Sequence, residues 1–267
     1  MSGDIPLSWG MSRPTVFELS DRIITFLADE GIAPNGLFDA DWRKSGVYAV
    51  LDCVFSSQVR FSVVEKALAT FAEKSGLRDT PELTFSGFLA FVRDETDVRP
   101  STERFDWVAE HIFGYRGKIS GRTKVEVAYD VCEFFAAKGY ETKRDLQALP
   151  AGKPFTCTDT GESGELERLV MQGIVNLDGK SPYKVRGMGL ALGAYLLMCL
   201  GRTDFVKPDT LLLRRVGHIV GRGWQPKSGD EADYLLIRQA ISCAAERLGQ
   251  PAAAVDHALW KYESARS

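Results

Sequence analysis

Hydrophobic residues recur at helical spacing along almost the whole chain, whereas the alternation of apolar and polar residues that marks β-strands is nearly absent. The stretch 13–31 is typical, because its apolar residues lie three and four positions apart, a proline stands near its start and Gly31 comes just past its end. Similar stretches continue to the C-terminus, and the clearest polar loop interrupts them at 150–163. The pattern therefore predicts an all-α protein of about a dozen short helices.

Capping residues predict where two of these helices begin. Ser120 is the expected N-terminal cap of the helix that ends at Gly139, and Asp209 is the expected cap of the helix in DTLLLRRV.

The apolar run at 191–200 is too short to span a bilayer, and the first residues lack the apolar core of a signal peptide. We therefore expect a cytoplasmic protein that has no membrane partner.

Composition narrows the class of protein. Of the 267 residues, 45% are hydrophobic and 26% are charged, which is ordinary for a soluble globular protein. The formal net charge of −3 means that any binding of nucleic acid must depend on a local basic face. The five cysteines are scattered and form no CxxC pair, so neither a zinc site nor an iron–sulfur cluster is indicated. We expect reduced thiols, mostly buried, in a metal-free monomer.

A pair of glycines, Gly187 and Gly189, flanks Met188 at the start of an apolar helical run. Such glycines let the backbone turn tightly and point N–H groups at a phosphate, and the helix dipole adds partial positive charge. A side chain at either glycine is expected to block this approach and strain the turn. For an isolated G-x-G a simple turn between helices is the better explanation. Lys184 and Arg186, directly before the turn, favour the phosphate interpretation.

Asp209 has two interpretations. Capping alone would justify an aspartate at the start of a helix. Near a phosphate-binding turn, a carboxylate can also stabilise the positive charge that develops on a sugar as a base departs, or orient an attacking water. Asp204 is the alternative candidate for a catalytic carboxylate, and we expect it to be a solvated loop residue.

Three motifs in order resemble the DNA glycosylases of the helix-hairpin-helix (HhH-GPD) superfamily, which includes endonuclease III. The G-M-G turn precedes Asp209, in P-D-T, by the spacing of that family's hairpin and aspartate. VYAVLDCVFSSQVRFSVVEKA resembles the family's segment that ends in S-x-Q, and SGRTKVEVAYDVCEFF resembles its G-x-x-x-K-A helix, with Val125 in place of the alanine. The resemblance covers approximately residues 45–220.

The resemblance implies a fold of two helical lobes. The inner lobe would span 45–185, and residues 1–44 would pack with 186–267, which carry the hairpin, the aspartate helix and the C-terminal helices. It also implies double-stranded DNA as the partner, and it leaves room for a monovalent cation at the hairpin.

The resemblance also implies roles for single residues. Asp209 would be catalytic, and Gln58 would fill the gap left by a flipped nucleotide. The further DNA contacts would be Lys124, Lys184, Arg186, Gly187, Met188 and Gly189, and the candidates for the base pocket are Tyr183, His257 and Trp260.

The departures from the family pattern are equally informative. Ala191 stands where members with lyase activity carry a lysine, so the Schiff-base route through that position is closed. Only Cys243 lies beyond residue 200, so the four-cysteine cluster motif of endonuclease III is missing. Arg186 replaces the usual proline, and the segment 151–186 intervenes before the hairpin.

These features predict a monofunctional DNA glycosylase that leaves an intact abasic site. Lys184 and Lys207 lie close enough in sequence to remain alternative amines. One alternative function is a defence glycosylase that acts on hypermodified bases of phage DNA. The other is a DNA-binding protein that kept the hairpin and has no catalytic activity. The excised base cannot be identified from the sequence.

Overall fold

Helices make up most of the part of the chain that the structure describes, so the prediction of a mainly helical protein is confirmed. The computed structural model describes residues 13–34, 42–97, 100, 103–221 and 223–266. Within these residues the helices are Val16–Asp29 (α1), Gly46–Phe55 (α2), Phe61–Ser75 (α3), Phe85–Asp94 (α4), Arg104–His111 (α5), Lys124–Ala137 (α6), Lys143–Gln147 (α7), Glu165–Arg168 (α8), Leu190–Cys199 (α9), Thr210–Val220 (α10), Glu231–Leu248 (α11) and Ala252–Ser264 (α12). A π-helical turn, Leu169–Ile174, continues α8.

The start of α6 differs from the prediction. Residues Lys118–Ile119 (β1) and Arg122–Thr123 (β2) pair as a short antiparallel ribbon. Ser120 lies in its turn with a φ of 51°, so it cannot cap the helix. Thr123 caps α6 instead, because its side chain accepts a hydrogen bond from the backbone N–H of Glu126.

The helices pack in two groups around one continuous core. In the first group, α1 and α12 pack against α10 and α11. In the second, α2 packs against α3, α6 and α9, while α4 and α5 pack against α6. Helix α9, which the sequence grouped with the C-terminal helices, therefore lies with the helices of residues 45–185. Within the described part of the chain, no helix is both long and apolar enough to cross a membrane.

The segment that precedes the glycine turn is fixed to α11. Cys157 forms a disulfide with Cys243, so the expectation of reduced thiols is wrong for this pair. Arg238, which is 1% exposed, pairs with Glu167 at 2.7 Å and lies 4.0 Å from the centre of the Phe155 ring. Because a buried charge needs partners, this cluster holds the segment in place.

Candidate functional site

Asp209 lies at the N-terminal end of α10, and its two carboxylate oxygens have different surroundings. Oδ1 accepts hydrogen bonds from the backbone N–H groups of Leu211 and Leu212, each at 3.0 Å. This confirms the capping role that the sequence predicts. Oδ2 lies 3.8 Å from Nζ of Lys207, and 21% of the Asp209 side chain is exposed. The cap therefore fixes one oxygen and leaves the other facing a cation and solvent.

The ammonium group of Lys207 joins three elements at this point. Nζ donates a hydrogen bond to Oγ of Ser56, just past the end of α2, at 3.2 Å. It also lies 4.0 Å from the centre of the Tyr195 ring on α9. A carboxylate and the face of an aromatic ring both attract an ammonium group. Lys207 thereby ties Asp209 to the turn that contains Gln58.

Gln58 lies in the turn between α2 and α3, at a strained backbone position. Its φ of 57° is in the left-handed region, which is uncommon for a residue with a side chain. The residue is exposed. The carbonyl oxygens of Phe55 and Ser57 accept hydrogen bonds from Nζ of Lys124 at 2.8 and 2.6 Å. The turn is thus braced from inside the protein while Gln58 remains accessible.

Lys124 is buried rather than placed on the surface, with 2% of the residue exposed. Burial, together with the nearby charge of Lys207, lowers the pKa of Lys124 to about 8. Its ammonium group is committed to two carbonyl oxygens of the Gln58 turn. The structure therefore assigns Lys124 to bracing that turn, and not to the surface position that a phosphate contact requires.

A second carboxyl group, that of Asp256 on α12, lies against the backbone that presents Asp209. Asp256 is 4% exposed, and its Oδ2 accepts a hydrogen bond from the backbone N–H of Lys207 at 3.4 Å. Its Oδ1 is buried and has no hydrogen-bond partner among the described residues. Burial, and then the charge of Asp209, raise the pKa of Asp256 well above its ordinary value. The surroundings of Asp256 therefore favour its neutral form more strongly than solvent does.

The two glycines of the turn differ in backbone conformation and in what an added side chain would meet. Gly187 has a φ of 105°, and a Cβ atom there would lie 3.1 Å from Cγ2 of Val127. Gly189 is the N-cap of α9, with a φ of −109° and nothing within 4 Å of an added Cβ atom. The expected strain therefore applies to Gly187 and is wrong for Gly189. Among the described residues no side chain caps α9, and the first N–H groups of an α-helix have no partner within the helix.

The residues around the turn alternate between solvent and core. Lys184 and Arg186 are exposed, as a phosphate contact requires. Met188 is 2% exposed, and its backbone N–H donates to the carbonyl oxygen of Val185 at 3.0 Å. The Met188 side chain therefore anchors the turn, and the accessible groups belong to its neighbours.

The three candidates for a base pocket have different surroundings. Tyr183 is 61% exposed and packs edge to face against Phe134 of α6, with ring centres 6.2 Å apart. The rings of His257 and Trp260 stack on α12 with their centres 5.9 Å apart. Burial, and then the charge of Lys261, lower the pKa of His257. A cavity of about 350 Å³ beside His257 is lined by Ile32, Ala33, Ala258, Lys261, Tyr262 and Ala265, and not by the Asp209 group.

Asp204 is not the solvated loop residue that the sequence predicts. Its carboxylate accepts two hydrogen bonds from Arg202, each at 2.9 Å, and lies 3.5 Å from the buried guanidinium group of Arg238. These contacts give both carboxylate oxygens of Asp204 structural partners, whereas Oδ2 of Asp209 faces Nζ of Lys207, at 3.8 Å.

Sequence reasoning missed the partners of Lys207. Ser56, Tyr195 and Asp256 come from three separate helical regions, and no local pattern marks them as neighbours of Asp209.

Across the described residues, no group of three or more His, Cys, Asp or Glu side chains is arranged to hold a metal ion.

Comparison with family models matches residues 33–264 to a family described as a domain of unknown function, DUF8548. Comparisons with curated proteins and with solved structures found no significant match. Because the family model covers most of the chain, this protein belongs to the DUF8548 family.

Proposed function

We propose that this protein is a monofunctional DNA glycosylase, which turns a damaged or modified base out of duplex DNA and hydrolyses its N-glycosidic bond. The observation that carries the proposal is the link that Lys207 makes between Asp209 and the Gln58 turn. In the HhH-GPD glycosylases that the sequence resembles, residues of these two types act on the flipped nucleotide and on the gap it leaves. Their proximity in this chain is what one base-flipping site requires.

Binding would begin at the glycine turn. The uncapped N–H groups of α9 are suited to one phosphate, and the exposed Lys184 and Arg186 to its neighbours. Gln58 would enter the base stack from its braced turn and offset part of the cost of unstacking.

The chemical step would depend on Asp209. As the bond between C1′ and the base nitrogen breaks, its electron pair leaves with the base and positive charge develops on the sugar. The Asp209 carboxylate would stabilise that charge and accept a proton from the water that attacks C1′. The cap formed by Oδ1 holds the carboxylate in place, which keeps the cost of reorganisation low. The product would be an abasic site, and the released base would take up a proton.

The test is incubation with duplexes that each carry one oxidised, alkylated, deaminated, mismatched or hypermodified base, followed by alkali to reveal abasic sites. Asp209→Asn should reduce excision by at least about 100-fold and leave DNA binding intact, since asparagine still caps a helix. Asp230→Asn is the matched control, because Asp230 caps α11 by accepting a hydrogen bond from the backbone N–H of Asp233.

The outcomes separate the enzyme from its alternative. Excision that survives Asp209→Asn would contradict the catalytic role of this carboxylate. Tight duplex binding with no base released from any substrate would favour a DNA-binding protein without catalytic activity.

A further inference from the structure

An exposed strip of residues runs along α6 from the glycine turn to Tyr183. At one end, Gly187 approaches Val127 in the first turns of α6. At the other end, the Tyr183 ring packs against Phe134 near the end of the same helix. Since an α-helix rises 1.5 Å per residue, these two contacts lie about 10 Å apart along α6. The segment 183–187 thus follows the helix, and one face of it remains in solvent.

Positive charge lies on both sides of the exposed ring. Nζ of Lys138, an exposed residue just past α6, is 5.5 Å from the centre of the Tyr183 ring. Lys184 and Arg186 follow in the chain, and residues 183–189 contain no acidic side chain. We define the Tyr183 strip as Lys138, Tyr183, Lys184, Arg186 and Gly189.

This combination has a known chemical use. Proteins that hold unpaired nucleotides place cations along the phosphates and aromatic rings against the bases, since every base has a face on which a ring can stack. In a fully paired duplex the faces of the bases already stack on one another, so an exposed ring finds no partner there. The strip length of about 10 Å corresponds to about three nucleotide rises along one DNA strand.

We propose that the Tyr183 strip binds unpaired nucleotides of the DNA strand that the glycine turn holds. The protein would then favour DNA in which base pairing is interrupted near the bound phosphate. This inference rests on the proposed function for its choice of DNA as partner, and it adds a preference that the glycosylase assignment does not contain.

The test compares two fluorescently labelled DNAs of the same sequence, one fully paired and one with three additional unpaired nucleotides in one strand. Binding is followed by fluorescence anisotropy. The wild type should bind the second DNA more tightly. Tyr183→Ala should weaken that binding about tenfold and change binding to the paired duplex less than twofold. Tyr183→Phe should behave like the wild type, because the aromatic ring is kept.

Phe17→Ala is the matched control, since Phe17 on α1 is also an exposed aromatic residue, at 51%. Phe17→Ala should leave both affinities unchanged. Circular dichroism would be used to check that each variant is folded. The inference would be overturned, and the proposed function would not, by either of two results. One is equal affinity of the wild type for the two DNAs, and the other is a Tyr183→Ala variant that binds both DNAs like the wild type. A wild type that binds neither DNA would overturn both the inference and the DNA-binding part of the proposed function.

Discussion

At the scale of single residues, the site is a set of charged groups held partly or wholly out of water. Lys207 is 16% exposed and faces Asp209, whereas Lys124 and Asp256 are almost completely buried. Burial disfavours the charged form of both buried groups, and it acts in opposite directions on the pKa of a base and of an acid. Stability should therefore depend on pH through residues of the site.

Asp256 gives the clearest pH prediction. An aspartate in an unfolded chain titrates near pH 4, whereas burial raises the folded pKa of Asp256. Between these values the folded protein binds the extra proton, so stability falls as pH rises, by up to about 1.4 kcal/mol per pH unit. Asp256→Asn cannot ionise, so its advantage in free energy of unfolding should grow as the pH rises above the pKa of an unfolded aspartate, about 4.

Denaturant unfolding at several pH values measures this difference. Asp21→Asn removes a carboxylate that is 62% exposed, and it serves as the control for the loss of a carboxylate that is not buried. A constant difference for Asp256→Asn would mean that burial has not raised the pKa of this group.

The reaction product gives a second prediction at this scale. Schiff-base formation needs an amine that is free to attack C1′, and Nζ of Lys207 donates a hydrogen bond to Ser56 and lies over the Tyr195 ring. Borohydride added to the protein with abasic-site DNA should therefore trap no covalent adduct. If an adduct forms, the monofunctional assignment is wrong, and Lys207→Met and Lys184→Met would show which amine reacts.

At the scale of elements, the glycine turn combines a requirement of the fold with a requirement of binding. The positive φ and close packing belong to Gly187, whereas Gly189 has open space on the side of its missing side chain. The two positions should therefore respond differently to substitution.

Gly187→Ala should lower the free energy of unfolding by about 1–3 kcal/mol, because alanine disfavours a φ of 105°.

Gly189→Asp should leave stability nearly unchanged and abolish DNA binding, because it places a negative side chain where a phosphate would approach. Thermal unfolding and anisotropy measure the two effects. Gly223→Asp adds the same charge at another open position and should leave binding unchanged. A Gly189→Asp variant that binds like the wild type would exclude the turn as a phosphate site.

At the scale of the whole molecule, the segment before the glycine turn is held by α11. The Cys157–Cys243 disulfide closes a loop across 86 positions, and the Arg238 cluster adds buried ion pairs to the same contact. A cross-link over so long a loop restricts the unfolded chain strongly.

Cys157→Ser should therefore lower the free energy of unfolding by about 2–4 kcal/mol without reductant. With reductant present, the variant and the wild type should unfold at nearly the same denaturant concentration. The reduced wild type is the control for loss of the thiol itself. Equal stability of the wild type with and without reductant would show that the disulfide contributes nothing to the fold.

The features that the sequence alone determined are those set by neighbouring residues. Helix positions follow from the spacing of apolar residues, and the capping role of Asp209 follows from its place before an amphipathic run. The glycine turn and its basic neighbours are equally local. The helix-start error at Ser120 has a local cause as well, since a short ribbon competes with the helix for these residues.

Only the tertiary structure decided what surrounds Asp209. Ser56, Tyr195 and Asp256 meet at the Lys207–Asp209 segment because α2, α9 and α12 pack together around one core, and helical periodicity contains no information on which helices become neighbours. The same limit explains why Lys124 is buried at the Gln58 turn and why Cys157 meets Cys243. Local pattern determined the elements, and burial of apolar surface over long sequence distances decided which of their side chains form a site.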